Sequence, residues 1–298
     1  MAQQPSATDP FFIKLLFAKK QNLPTEERIL EVLGSHFGEL EGLTYSENGA
    51  GAVVLDWEVD VGEQKVAPMV QIFASQPHDV DAIGPMVRNQ MWDVFPNADA
   101  VLESLPYEVA GTDFLGSILD PQTRANFEMT FLDAMLELFP DADAVLFFDT
   151  GRLMRVDDVR AHEFEGIARY IRLAMNVRVF SVDDDEWLVD TLGMHKLGGP
   201  DMQYHFRGLS PEVVAGHATA VAEYQLANNF PIENGNSVQG LSEDEHSDDP
   251  GDAVMWHCRY EDALIGPERV VLDIEAGEFA AGNRQRADDN HSANGREG

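Results

Sequence analysis

The chain has 298 residues, 44% of them hydrophobic, which suits a globular protein with a sizeable core. It carries 53 acidic against 20 basic residues, a formal net charge of -33, and such a surface repels phosphate backbones and argues against a nucleic-acid partner. Cys258 is the single cysteine, which excludes an intrachain disulfide and a cysteine-based zinc site.

Taken in order, Met1 to Pro10 is polar and reads as a flexible start without a signal-peptide core. Phe11 to Ala18 is short and apolar enough for a buried strand. Thr25 caps a helix with Glu26 and Glu27 in its first turn, Ile29, Leu30, Leu33 and Phe37 on one stripe, and Gly38 at its end. Ala52 to Val61 and Lys65 to Ala74 predict a hairpin about Gly62-Glu63, with Pro68 marking the second arm as an edge strand. Val80 to Val94 reads as a helix whose start moves to Pro85 if Gly84-Pro85 breaks it. Pro96 to Pro106 is a breaker-rich connection and the best internal boundary.

Tyr107 to Leu115 is a weaker strand. Asp120-Pro121 opens a helix on which Phe127, Phe131, Met135 and Leu138 recur at helical spacing, while Glu128, Asp133 and Glu137 point elsewhere. Ala142 to Asp149 is a strand, Glu163 to Met175 a helix, and Val177 to Val182 and Trp187 to Val189 are strands about an acidic turn. After Gly198-Gly199-Pro200, Met202, Tyr204 and Phe206 fall on one face of a strand and Gln203, His205 and Arg207 on the other. Ser210-Pro211-Glu212 starts a helix running toward Asn228, and Asn234-Gly235 is a turn. Glu243 to Asp252 is a solvated acidic loop, Ala253 to Tyr260 and Arg269 to Ile274 are closing strands, and residues 277–298 read as a disordered tail.

This order predicts an α+β fold, mostly antiparallel sheets with helices packed on them, and not a doubly wound parallel sheet, because hairpins intervene and no Gly-rich phosphate loop follows a strand. Strands flank helices in a similar order in each half, which suggests two similar lobes, 11–105 and 106–276, the second continuous with the first. No repeat is visible in the letters themselves.

The densest polar grouping outside the acidic loop is Asp190, His195, Asp201, Gln203, His205 and Arg207. Two readings compete for it. His195 and His205, with Asp190 or Asp201 as a third ligand, have the donor chemistry for zinc, although their spacing is no known motif. Alternatively Asp190, His205 and Arg207 form a structural hydrogen-bond network around the Gly-Gly-Pro turn. His217 lies on an apolar helical stripe and reads as a half-buried core histidine; Cys258 reads as a buried, inert thiol, since its neighbours His257 and Arg259 point to the other face of the strand. No nucleophile elbow or calcium-loop pattern is present in the sequence, and no cofactor is expected.

Tyr107 to Asp113, Phe139 to Gly151, Asp190 to Gly208, Glu233-Asn-Gly, Gln239-Gly240 and Pro267 to Ile274 together resemble the bacterial family called domain of unknown function 4261, over residues 11–275. The resemblance implies an α+β cytoplasmic protein without established activity, near bacterial conflict and immunity modules. Gly199 stands where that family usually has a leucine before Pro-Asp, which would loosen the turn.

The acidity has three explanations: a solubilising surface suited to high internal salt, a face for a basic protein partner, or mimicry of nucleic acid. Its spread along the chain favours the first. The function expected is a non-enzymatic cytoplasmic binding or immunity-type protein with an acidic surface, with no membrane partner; the alternative is a metal-dependent hydrolase centred on His195 and His205.

Overall fold

The computed structural model describes residues 10–241 and 254–282. The acidic loop expected at 243–252 lies outside them. β1 (Phe12–Phe17) is the apolar run expected at the start, and it is a central strand. α1 (Glu26–Phe37) begins where the Thr25 side chain accepts a hydrogen bond from the Arg28 N–H, and stops at Gly38, whose φ of 86° suits glycine. β2 (Leu40–Ser46) and β3 (Gly49–Val54) pair antiparallel. The expected hairpin about Gly62 exists but is interrupted: a 3₁₀ turn at Leu55–Trp57 separates β3 from the small pair β4 (Val59–Val61) and β5 (Gln64–Val66), and β6 (Met69–Phe73) returns beside β3. Pro68 sits in the break before β6, where no ladder bond is lost, so β6 is an interior strand and not the edge expected from that proline.

After β7 (Gln76–Pro77), the helix expected over 80–94 is three short turns: Val80–Ala82, α2 (Pro85–Arg88) and Trp92–Val94. The connection expected at 96–106 contains a helix, α3 (Ala98–Ser104), which buries Ala98, Val101 and Leu102. These pieces cover one face of the first sheet, packing with Leu16, Leu146 and Leu153 in a satellite core.

β8 (Tyr107–Phe114) lies between β1 and β6. α4 (Pro121–Leu138) starts at Asp120, whose carboxylate accepts from the Gln122 and Thr123 N–H groups. β9 (Ala144–Phe147) and β10 (Arg152–Arg155) complete the first sheet, ordered β10-β9-β1-β8-β6-β3-β2 and antiparallel throughout. The expected division at 105/106 therefore cuts a sheet. The two sheets separate between Arg155 and Asn176, across α5 (Val156–Ala161) and α6 (Gly166–Leu173).

The second sheet is ordered β11-β12-β13-β16-β15-β14. Its strands are β11 (Asn176–Asp183), β12 (Glu186–Leu192), β13 (Asp201–Arg207), β14 (Ser237–Gln239), β15 (Met255–Asp262) and β16 (Val270–Glu275), with α7 (Pro211–Ala227) between β13 and β14. Only the β13–β16 pairing is parallel. The fold is α+β. α7 packs on β11, β12 and β13, while α4 touches β1, α6 and α7, so one core runs through the helices from sheet to sheet. That placement buries α4 on most of its circumference, and Glu128, expected to point away from the core, is enclosed.

The tail is also ordered further than expected. Residues 277–279 make a 3₁₀ turn, Ala280 bridges to Phe206, and the Ala281 N–H donates to the His205 carbonyl at 2.9 Å. The rest of the expected tail lies outside the described residues.

Candidate functional site

The alternation in Met202-Gln-Tyr-His-Phe places Met202, Tyr204 and Phe206 in the core between β13 and α7. The opposite face carries Asp201 and Gln203, also fully buried, and the register sets Gln203 across from Asp190 on β12. The connection from β12 to β13 passes through Gly193 at φ 145° and Gly198 at φ 85°. Gly199 does not loosen it: the Phe230 ring fills the space, and an added Cβ would stand 2.0 Å from that ring.

Two buried carboxylates organise this face. Asp190 receives Arg178 Nε at 2.8 Å, with Arg178 Nη2 on its other oxygen, and Arg269 Nη2 at 2.7 Å. Asp201 receives Arg269 Nε at 3.0 Å, the Met194 N–H at 2.9 Å and the Thr191 hydroxyl at 3.2 Å, and it contacts His195 Nδ1 at 2.7 Å. Burial alone would raise the Asp201 pKa, but His195, Arg269 and the Met194 N–H outweigh it and hold the carboxyl at about 2. Asp201 is therefore an anion at neutral pH.

The arginines also hold a loop. Arg269 Nη1 donates to the Ile265 and Pro267 carbonyls at 3.0 and 2.9 Å, and Arg178 Nη1 to the Gly266 carbonyl at 2.8 Å. Gln203 accepts from the Leu264 N–H at 2.8 Å and donates to Asp273 at 3.2 Å. With the bond from Nη2 to the Thr191 carbonyl, all five N–H donors of Arg269 are spent. The chemistry available here is that of a charged staple, pinning residues 264–267 across β11, β12, β13 and β16.

Four of the six candidate residues, Asp190, His195, Asp201 and Gln203, belong to this staple; His205 and Arg207 do not. His205 Nε2 and Arg207 Nη2 contact the two oxygens of Glu186, at 2.6 and 2.8 Å, and the Arg207 side chain is 59% exposed. The expected network of Asp190 with His205 and Arg207 is not formed. His195 binds Asp201, and His205 lies four residues further along β13, about 13 Å at strand rise. The two histidines therefore cannot share one ion, and no three His, Cys, Asp or Glu side chains among the described residues are grouped to hold one.

The staple lies inside the segment that carries the resemblance. Residues 190–275 match the model of a family described as Domain of unknown function (DUF4261). The match is shorter than the 11–275 over which the resemblance was drawn, and the first sheet falls outside it. No curated protein and no solved structure matched the chain. The matched segment contains the staple's carboxylates and Arg269, together with the end of β12 and all of β13, α7, β14, β15 and β16; Arg178, on β11, lies before it.

Within the matched segment His217 is half-buried as expected. Its Nδ1 meets the Tyr204 hydroxyl at 2.9 Å, its Nε2 the Gln239 carbonyl at 2.8 Å, and burial lowers its pKa. Cys258 is buried, and burial pushes its thiol up to about 11, which keeps it protonated and inert.

A second buried charge cluster joins the two sheets. Arg124 and Glu128 on α4 lie beside Asp113 at the end of β8; Arg124 Nη2 donates to Asp113 at 3.2 Å, and Nη1 reaches the Lys196 carbonyl. Lys196 contacts Asp149 at 2.8 Å and donates to the Pro10 carbonyl at 3.2 Å. Arg124 Nε stands 3.9 Å from one Glu128 oxygen, and the Glu128 carboxyl sits against Asp113, to which it donates when protonated. Burial foremost, then the Asp113 charge, raises the Glu128 pKa well above the ordinary value, against a smaller opposing pull from Arg124. Nothing in the helical spacing of Glu128 distinguished it from the exposed acids around it.

Proposed function

We propose that the protein is a cytoplasmic binding protein of the immunity type, engaging a basic protein partner through its acidic surface. What supports this reading is how the candidate polar groups are used: Asp190, Asp201, Gln203 and Arg269 are bonded to one another and to backbone, so this cluster is occupied in holding the fold and does not present its polar groups to a substrate. The hydrolase alternative loses its support with the separation of His195 and His205. What the protein offers a partner is its charge of -33, which attracts a basic surface and speeds encounter.

Affinity purification of the tagged protein from its host at low salt, followed by mass spectrometry, tests the reading. A strongly basic protein should be retained and should be released by roughly 0.5 M KCl, where charges are screened within a few ångströms. Retention of neutral or acidic proteins only, or retention insensitive to salt, would overturn it.

A further inference from the structure

The second sheet ends in a strand whose outer edge pairs with no further strand among the described residues. β14 is terminal in the sheet order among the described residues. The Cys258 N–H donates to the Asn236 carbonyl at 2.8 Å and the Gly240 N–H to the Val254 carbonyl at 2.7 Å, with Val238 opposite Trp256 between them. In an antiparallel ladder, such bonded pairs alternate with pairs whose backbone groups point outward. Ser237 and Gln239 therefore turn theirs away from β15. On that side the Gln239 carbonyl is taken by His217 of α7, but among the described residues no group bonds the Ser237 N–H or carbonyl.

A groove of about 670 Å³ runs between this edge and α7, lined largely by Val221, Tyr224, Pro231, Ile232 and Val238. It is large enough for a short peptide segment. Its lining includes no lysine, arginine, aspartate or glutamate. Both His217 nitrogens are already bonded, so its ring is not a free cationic group facing the groove. Glu233, next to Ile232, is exposed at its end. An extended segment laid here would satisfy the Ser237 backbone, send alternate apolar side chains into the groove and leave the others facing an acidic protein surface.

We propose that this groove docks an extended, lysine- or arginine-bearing segment of the basic partner, which adds to β14 as a further strand; the inference rests on the binding reading above. The probes are two fluorescein-labelled peptides, one alternating valine with lysine and one alternating valine with glutamate, titrated by fluorescence anisotropy at low salt. The lysine peptide should bind and the glutamate peptide should not. Ser237→Pro removes the outward N–H and also the hydroxyl's contact with His257 Nδ1 at 3.0 Å, so it is compared with Ser237→Ala, which loses the hydroxyl alone; relative to that variant it should weaken binding about tenfold, what one lost backbone hydrogen bond is worth. Tyr224→Ser, at a side chain that is 54% exposed, should weaken it similarly without changing the melting temperature. Amide exchange in the unaltered protein should slow at Ser237 when the peptide binds. No binding of the lysine peptide, equal binding of both peptides, or binding indifferent to both substitutions with no slowed exchange at Ser237 would each overturn the groove. A basic partner retained in the affinity experiment would still leave the acidic-surface reading standing in those cases.

Discussion

Asp190 and Arg269 are 79 positions apart in the chain and meet at 2.7 Å, both sealed from solvent. The guanidinium also spans to Asp201, so one side chain neutralises part of two buried carboxylates while closing the loop before β16. Removing one partner of such a set leaves a buried charge without compensation, which costs far more than the net worth of the pair.

Arg269→Ala should therefore destabilise the fold by about 3–5 kcal/mol. Arg207→Ala should cost under about 1 kcal/mol, because its bond to Glu186 lies at an exposed site where solvent screens it. Urea unfolding of the two variants checks this; equal losses would contradict the placement of the staple.

Glu128 gives the stability a pH dependence of definite sign. Its folded pKa is raised, so the folded protein keeps a proton that the unfolded chain releases above about pH 4.3. Stability from this group is full below that pH and falls as the pH rises toward the folded pKa. Glu128→Gln should melt close to the unaltered protein at pH 4 and above it at pH 7 to 8, with a gap that widens with pH. A gap constant across that range would show that Glu128 is not protonated in the fold.

The segment after β16 should contribute to stability. A chain ending at Ala276 loses the bond from the Ala281 N–H to the His205 carbonyl and the burial of Ala281. Compared with a chain ending at Gly282, it should be less stable by about 1–2 kcal/mol. Identical unfolding curves would mean that this segment lies on β13 without holding it.

Salt should stabilise the protein. A net charge of -33 works against compaction, and added ions shorten the range of that repulsion from about 10 Å at 0.1 M to about 3 Å at 1 M. The melting temperature should climb from low to molar KCl; a flat or falling curve would show that the acidic groups are too dispersed to strain the fold.

The sequence located the staple's two carboxylates, His195 and Gln203, but not its arginines. Asp190, Asp201 and Gln203 stood out because polar residues interrupt an otherwise strand-like segment, and the alternation of Met202, Tyr204 and Phe206 told which face was core. Arg178 and Arg269 were missed, although a signal was there: each sits in or beside an apolar β-run, where a charge needs a buried partner. Which partner it finds depends on strand order, and the parallel joining of β13 to β16 across 62 intervening residues leaves no mark in local spacing.

What the sequence determined by itself are the features set by neighbours within a few residues. These are the helix starts at Thr25 and Asp120, the stop at Gly38, the alternation along β13, the α+β class and the acidic charge. The tertiary structure alone decided where the sheets divide, that Glu128 is enclosed and Arg207 exposed, and that His195 and His205 serve different carboxylates. The reason is physical. Capping and side-chain alternation are fixed by bonds and rotations a few residues long, whereas burial and ion pairing depend on which distant surface closes over a side chain.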